Sequence, residues 1–266
     1  MTKPATGKRP PRLFTVSAVR RVSAHMIRVT FNSPEIGEIA NGCEGANCKL
    51  FLPEAGQDKA AFRAQLADGP RPVVRTYTVR HQRQEACEMD IDFVDHGDAG
   101  PASAWARAAQ VGSFCGFAGP GPVKVKSYEA AQYLVVADLS ALPLAAATLE
   151  AMPDHAKGTA IFEITHPDDR QPLKMPAGVT ARWVINPDPS KPDGQVENLV
   201  RRLHWPEERL QVCIGGESSM IRALRQYILV DRKLPKADAY IAGYWKIGLV
   251  EDEHQIEKRN EAALAG

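Results

Sequence analysis

Four consecutive residues, Arg75, Thr76, Tyr77 and Thr78, bring a cation, an aromatic ring and two hydroxyls into one short stretch. On an extended strand side chains alternate, so Arg75 and Tyr77 share one face and Thr76 and Thr78 the other. A flavin asks for such a set: an aromatic plane against its ring, a cation for its diphosphate, and small hydrogen-bonding groups at the ring edge. A plain strand with an exposed arginine and a packed tyrosine has the same composition, so a second segment has to tip the balance. Asp92, Phe93, Val94, Asp95, His96 and Gly97 end a strand, and Gly100, Pro101, Ala102 and Ser103 open a helix whose first amides are free to bind an anion. Ser103 either lends its hydroxyl to a diphosphate or caps the helix.

The elements that would hold these residues follow from patterning. Short β-branched runs with period two at residues 12–22, 25–32, 48–52, 73–80, 88–94 and 113–118 predict an antiparallel sheet or barrel, with a short helix at 102–109. The cluster Gly119-Pro120-Gly121-Pro122 stops regular structure, and a boundary near Ser127 divides the chain into residues 1–127 and 128–266. Beyond it, apolar runs at 132–137, 159–164, 182–185, 210–214 and 239–242 alternate with helical stretches at 141–152, 195–203, 219–230 and 251–263, the mark of βαβ units around a parallel sheet. The expected fold class is β followed by α/β. A barrel placed before a βα domain is an architecture able to hold a flavin between its halves.

Composition removes other functions. Lys+Arg 33 against Asp+Glu 32 leaves no broad basic face for nucleic acid. The longest apolar stretch, residues 133–152, is interrupted by Asp138, Ser140 and Pro143, and the N-terminus is polar and basic, so neither a membrane span nor a secretory signal is expected. Five scattered cysteines favour a reducing compartment, the cytoplasm, over a disulfide framework. Cys43 and Cys48 reproduce the first half of C-x4-C-x2-C, but Phe51 stands in the third position and excludes that iron–sulfur cluster. The seven histidines form no H-E-x-x-H, and no protein-held metal is expected.

The run Arg75 to Thr78, the stretch from Asp92 to Gly97 continuing through Gly100-Pro101-Ala102-Ser103, Gly119-Pro120-Gly121, and Gly243-Tyr244-Trp245-Lys246 together resemble the siderophore-interacting protein family of ferric-siderophore reductases. The likeness extends from about Thr15 to Glu253. It implies a six-stranded antiparallel FAD-binding barrel, a C-terminal NAD(P)H-binding domain of ferredoxin-NADP reductase-like build, and reduction of Fe(III) held by a siderophore. Carried over by position, it places Arg75, Thr76, Tyr77 and Thr78 against FAD, and Asp92, Val94 and His96 along its ribityl and phosphate portions. It sets Gly100, Ala102 and Ser103 at the diphosphate and Trp245 near the other face of the flavin.

The second domain lacks both G-x-G-x-x-G and G-x-x-x-x-G-K-[ST], so its nucleotide contacts are sought by geometry. Asp138, Ser140 and Ala141 follow one expected parallel strand, and Gly215, Gly216 and Glu217 follow another, at the carboxyl ends where open α/β sheets bind ligands. Relatives usually read Gly-Asp-Glu-Thr-Ala where this chain has Ala137-Asp138-Leu139-Ser140-Ala141, which leaves NADPH and NADH both open. An anionic siderophore needs local cations, and the resemblance points to Lys49 and Lys246, with Lys258 or Arg259 as a third candidate. No side-chain acid, base or nucleophile is needed, because FAD takes two electrons as hydride and passes them singly to Fe(III). Three readings stand: a ferric-siderophore reductase, a ferredoxin or flavodoxin reductase of the same fold, and a non-catalytic siderophore-binding flavoprotein. Ferredoxin also stands as an alternative electron donor, and the siderophore class, catecholate or hydroxamate, stays open.

Overall fold

A computed structural model describes residues 10–97 and 100–249. Six strands, β1 (Arg12–Ser23), β2 (Met26–Asn32), β3 (Asn47–Leu52), β4 (Val73–Arg83), β5 (Glu88–Val94) and β6 (Phe114–Ala118), close into an antiparallel barrel in the order β1-β2-β5-β4-β3-β6. Alternation fills it: Met89, Ile91 and Phe93 of β5 point inward, where Phe14, Phe31 and Phe117 pack, the Phe14 and Phe117 rings stacking at 4.5 Å. Each such side chain removed from water contributes about 1.5 to 3 kcal/mol. The other face of β5 carries Asp90 and Asp92, both buried and therefore obliged to find cations. Arg28 of β2 grips Asp92 with Nε at 2.6 Å and Nη2 at 2.7 Å, and Arg83 and His81 of β4 hold Asp90.

Helix α1 (Lys59–Asp68) was absent from the sequence expectation; Asp58 caps it by accepting from the Ala60 and Ala61 amides, and only Phe62 is buried. Helix α2 (Pro101–Ala108) follows β5, and the chain crosses residues 119–131 to the second domain. There β7 (Gln132–Ala137), β8 (Lys157–Ile164), β9 (Gly178–Ile185), β10 (Leu210–Glu217) and β11 (Ala239–Trp245) form a parallel sheet in the order β11-β10-β7-β8-β9. Helix α3 (Leu142–Ala151) covers the face toward the barrel; α4 (Gln195–Arg202) and α5 (Ser218–Arg225) cover the other, and a π-helical turn over Gln226–Asp231 continues α5. The helix expected at 251–263 lies outside the described residues.

Two strand ends run further than their sequences suggest, because glycine there is packing space rather than a stop. Gly216 has φ +153, and a Cβ on it would stand 2.9 Å from the Asp138 carboxylate; one on Gly243 would stand 2.8 Å from Ser218 Oγ. Without side chains, β10 and β11 lie tight against the turn after β7 and the start of α5.

The halves share a core and two polar clasps. Met26 of the barrel is fully buried among residues of α3 and β7. Arg80 of β4 pairs with Glu150 of α3 through Nη1 at 2.7 Å and Nη2 at 2.6 Å. At the far side Asp169, wholly buried, accepts from the Ser23 hydroxyl, the His25 and His166 amides and the Thr165 hydroxyl, tying the β1–β2 turn to the segment after β8. Among the described residues, no helix is long and apolar enough to cross a membrane and no three His, Cys, Asp or Glu side chains group as a metal site.

Candidate functional site

The sheet's carboxyl edge and the barrel face each other across a cleft of about 680 Å³, within the range of small-molecule sites. Strand β4 brings Arg75, Thr76, Tyr77 and Thr78 to it, β5 brings Asp92 and Val94, and the start of α2 brings His96, Gly100, Ala102 and Ser103. From the second domain come Asp138, Ser140, Trp245 and Lys246. Ala141 and Glu217 sit behind this lining as buried residues. Lys49, on β3 opposite Thr76, lies outside the lining and donates to the Thr76 hydroxyl. Lys258 falls outside the described residues.

The barrel side has what a flavin nucleotide requires. Tyr77 leans on Phe93 with ring centroids 4.4 Å apart, which fixes its plane. Helix α2 begins at Gly100 with no side-chain cap, and among the described residues no acceptor meets the Ala102 and Ser103 amides. The Ser103 oxygen accepts from the His96 amide at 3.2 Å, which leaves the hydroxyl proton available. A Cβ on Gly100 would fall 2.6 Å from His96 Cε1, so glycine allows the imidazole to lie over the helix start. The Tyr244 hydroxyl, in a residue that lines the cleft, is buried beside Thr78 and Tyr240. Arg75, the Tyr77 ring and a helix start without a side-chain cap among the described residues, all lining one cavity, fit a polar, anionic ligand with a flat ring.

The sheet side is different, because its carboxylates are already engaged. Asp138 Oδ1 accepts from the Ser140 amide at 2.9 Å, the Ser140 hydroxyl at 2.5 Å and the Ala141 amide at 3.2 Å, while Oδ2 accepts from the Trp245 indole at 2.7 Å. Burial pushes the Asp138 carboxyl above its usual range, and these hydrogen bonds offset part of that rise. Glu217 Oε2 accepts from the Ser219 amide at 2.5 Å and the Met220 amide at 3.3 Å, and Oε1 accepts from the Ile247 amide at 3.3 Å. Ser218 donates to the Trp245 carbonyl at 2.8 Å. The ends of β7 and β10 therefore hold the segment from Trp245 to Ile247 in place.

Sequence reasoning passed over Glu163, next to last in β8, although a carboxylate at that end of a parallel strand is itself a signal. It lines the cleft, and burial, then the neighbouring Asp138, raise it to about 7.

A closed six-stranded barrel followed by a five-stranded parallel sheet, with the cleft between them, defines a ferredoxin-reductase-like two-domain protein. The same fold is seen in ferredoxin-NADP+ reductase from Plasmodium falciparum, with a TM-score of 0.64 and 12% identity, over 88% of this chain and 96% of that one. Residues 15–124 match the family model "Siderophore-interacting FAD-binding domain" and residues 130–248 the model "Siderophore-interacting protein". The chain belongs to the siderophore-interacting protein family. It is 30% identical over 257 residues to ferric vibriobactin reductase ViuB of Vibrio cholerae, covering 93% of this chain and 94% of the relative. Siderophore-interacting protein SipS from Aeromonas hydrophila superposes with a TM-score of 0.80 at 33% identity, covering 96% of this chain and 98% of that one.

Proposed function

We propose that the protein is a cytoplasmic flavoenzyme that reduces a ferric siderophore with electrons from NAD(P)H, so that iron is released as Fe(II). The observation that carries this reading is the meeting, in one cleft, of Tyr77, Arg75 and the glycine-led start of α2 with Trp245 and Lys246 from the other domain. Bound there, FAD would supply acceptance of a hydride and delivery of single electrons. Arg75 and the Ala102 and Ser103 amides would hold its diphosphate, Tyr77 would lie against its ring, and Thr78 would offer a hydroxyl at its edge. Asp92, Val94 and His96 would border its chain portions, with Asp92 kept in place by Arg28. Trp245, set by its bond to Asp138, would shield the ring from the second-domain side. Lys246, at the mouth, and Lys49, on the barrel surface beside Thr76, would attract an anionic ferric complex. Reduction then loosens the metal, since hard oxygen donors suit Fe(III) far better than Fe(II). All five cysteines are free and four are buried, which accords with a reducing cytoplasm.

The test is anaerobic and optical. Purified protein should carry a flavin spectrum that bleaches with NADH or NADPH and returns on addition of a ferric siderophore, with Fe(II) trapped by a chelator. Colourless protein that takes up no FAD, or bleached protein that no ferric siderophore reoxidises, would overturn the proposal.

A further inference from the structure

The edge of the parallel sheet has an unusual charge balance for a surface that meets a dinucleotide. In open α/β sheets the diphosphate is held by amides at a helix start beside the point where strand order reverses. Here that point lies between β7 and β10, and the chain's own carboxylates engage amides on both sides of it: Asp138 takes the Ser140 and Ala141 amides in the turn before α3, and Glu217 takes the Ser219 and Met220 amides at the start of α5. Ala137 pairs with Phe162, so the next residues, Asp138 and Glu163, stand level on adjacent strands. The hydrogen bond Glu163 receives from Asn186 is long, at 3.5 Å, which leaves its carboxylate with acceptor capacity toward the cleft. Three carboxylates act on it, Asp138 just after β7 and Asp193 and Glu197 around the start of α4. Among the described residues, the lining contributed by β8, β9 and the segments that follow them is Glu163, Ile164, Thr165, Asn186, Pro187 and Pro189, with no lysine or arginine.

The end of the strand next to the switch point is where the adenosine ribose of a dinucleotide lies; a carboxylate there bonds a free 2′-hydroxyl, and a 2′-phosphate calls for an arginine instead. A 2′-phosphate would bring a charge of about −1.5 to −2 toward this acidic rim, whose described lining contributes no lysine or arginine. We propose that Glu163 makes the protein select the donor without a 2′-phosphate, NADH over NADPH, by accepting a hydrogen bond from the adenosine ribose at the end of β8. The inference rests on the nicotinamide-donor reading above and adds a discriminating residue to it.

Calorimetric binding of NAD+ and NADP+ to the FAD-loaded protein reads the choice without turnover. In the unmodified protein NAD+ should bind at least about tenfold more tightly than NADP+, and anaerobic flavin bleaching by NADH should outrun that by NADPH in the same sense. Glu163→Gln should close the gap from both sides, and Glu163→Arg should reverse it. Flavin content and circular dichroism confirm that each variant is folded, and Glu163→Gln, nearly isosteric, carries the test if the arginine variant loses flavin. Equal or tighter binding of NADP+ to the unmodified protein, or a ratio that Glu163→Gln leaves unchanged, overturns the inference while leaving the reductase reading intact. If neither nucleotide binds, yet dithionite-reduced protein still delivers electrons to a ferric siderophore, the donor reading and this inference fall together.

Discussion

Replacing Arg80 by alanine should cost the protein about 3 kcal/mol of stability. The Arg80 side chain is 7% exposed and makes two charge-assisted hydrogen bonds to Glu150, at 2.6 and 2.7 Å. Removing one partner of such a pair strands the other, and that typically costs about 3 to 5 kcal/mol. Glu150 is 24% exposed and keeps His81 Nε2 at 3.8 Å, which places the loss at the low end of the range. In a chain of this size 1 kcal/mol moves the midpoint by about 2 to 4 °C, so the Tm should fall by roughly 6 to 12 °C. Differential scanning calorimetry of the flavin-loaded protein measures it. The double variant Arg80→Met/Glu150→Met, which removes both charges, should recover most of the loss. A drop under about 2 °C, or a double variant no better than the single one, would refute the assignment of Arg80 as the buried clasp between the halves. The pair also has a pH signature. Burial alone would raise the Glu150 carboxyl, but the hydrogen bonds and charge of Arg80 outweigh it and hold the group below its ordinary 4.5. Its contribution is therefore present above pH 4.5 and fades as the pH falls through the lowered value.

Three further outcomes are expected. Glu163, raised from 4.5 to about 7, favours the folded state while protonated, so that stability is full below pH 4.5 and is lost as pH rises toward 7. Glu163→Gln should then gain about 1 to 2 kcal/mol at pH 8, after allowance for partial solvent exposure, and almost nothing at pH 4.5, read from urea midpoints at the two pH values. The double variant Lys49→Ala/Lys246→Ala should raise the KM for an anionic ferric siderophore several-fold with the flavin spectrum intact; loss of flavin would count against a substrate role. Asp169→Ala should destabilise by about 3 kcal/mol, because it strips acceptors from Ser23, His25, Thr165 and His166 at once, whereas an unchanged denaturation midpoint would remove this residue from the clasp.

What the sequence discloses and what it hides divide along a physical line. Period-two alternation survives in β1, β3 and β5 because one side of each faces the barrel interior, and the Arg75-to-Thr78 run is visible because its chemistry is local to one strand. Helix α1 escaped because its single buried residue, Phe62, gives no apolar stripe, though Asp58 followed by good helix formers was a signal in plain sight. Gly215, Gly216 and Gly243 imitate turn residues, since the sequence does not reveal that neighbouring side chains press against them. The engagement of Asp138 by Trp245 and of Glu217 by Ile247, the bond of Lys49 to Thr76, and the Asp169 clasp arise from partners far away in the chain; no spacing rule reaches 107 residues from Asp138 to Trp245. The Glu163 environment is hidden for the same reason, its strongest neighbour being level with it only after β7 and β8 align.

Strand β4 serves two ends within eleven residues: Arg75 to Thr78 face the cavity, while Arg80, His81 and Arg83 anchor to Glu150 and Asp90. A jaw that opened by swinging one half away would have to tear the Arg80–Glu150 clasp, whereas the bonds from His81 and Arg83 to Asp90 stay within the barrel. Under the reductase proposal, spent nicotinamide and incoming iron complex would share that one cleft by turns. Initial-rate plots at several donor concentrations should accordingly run parallel rather than intersect, and speed should be governed by how quickly the first visitor departs.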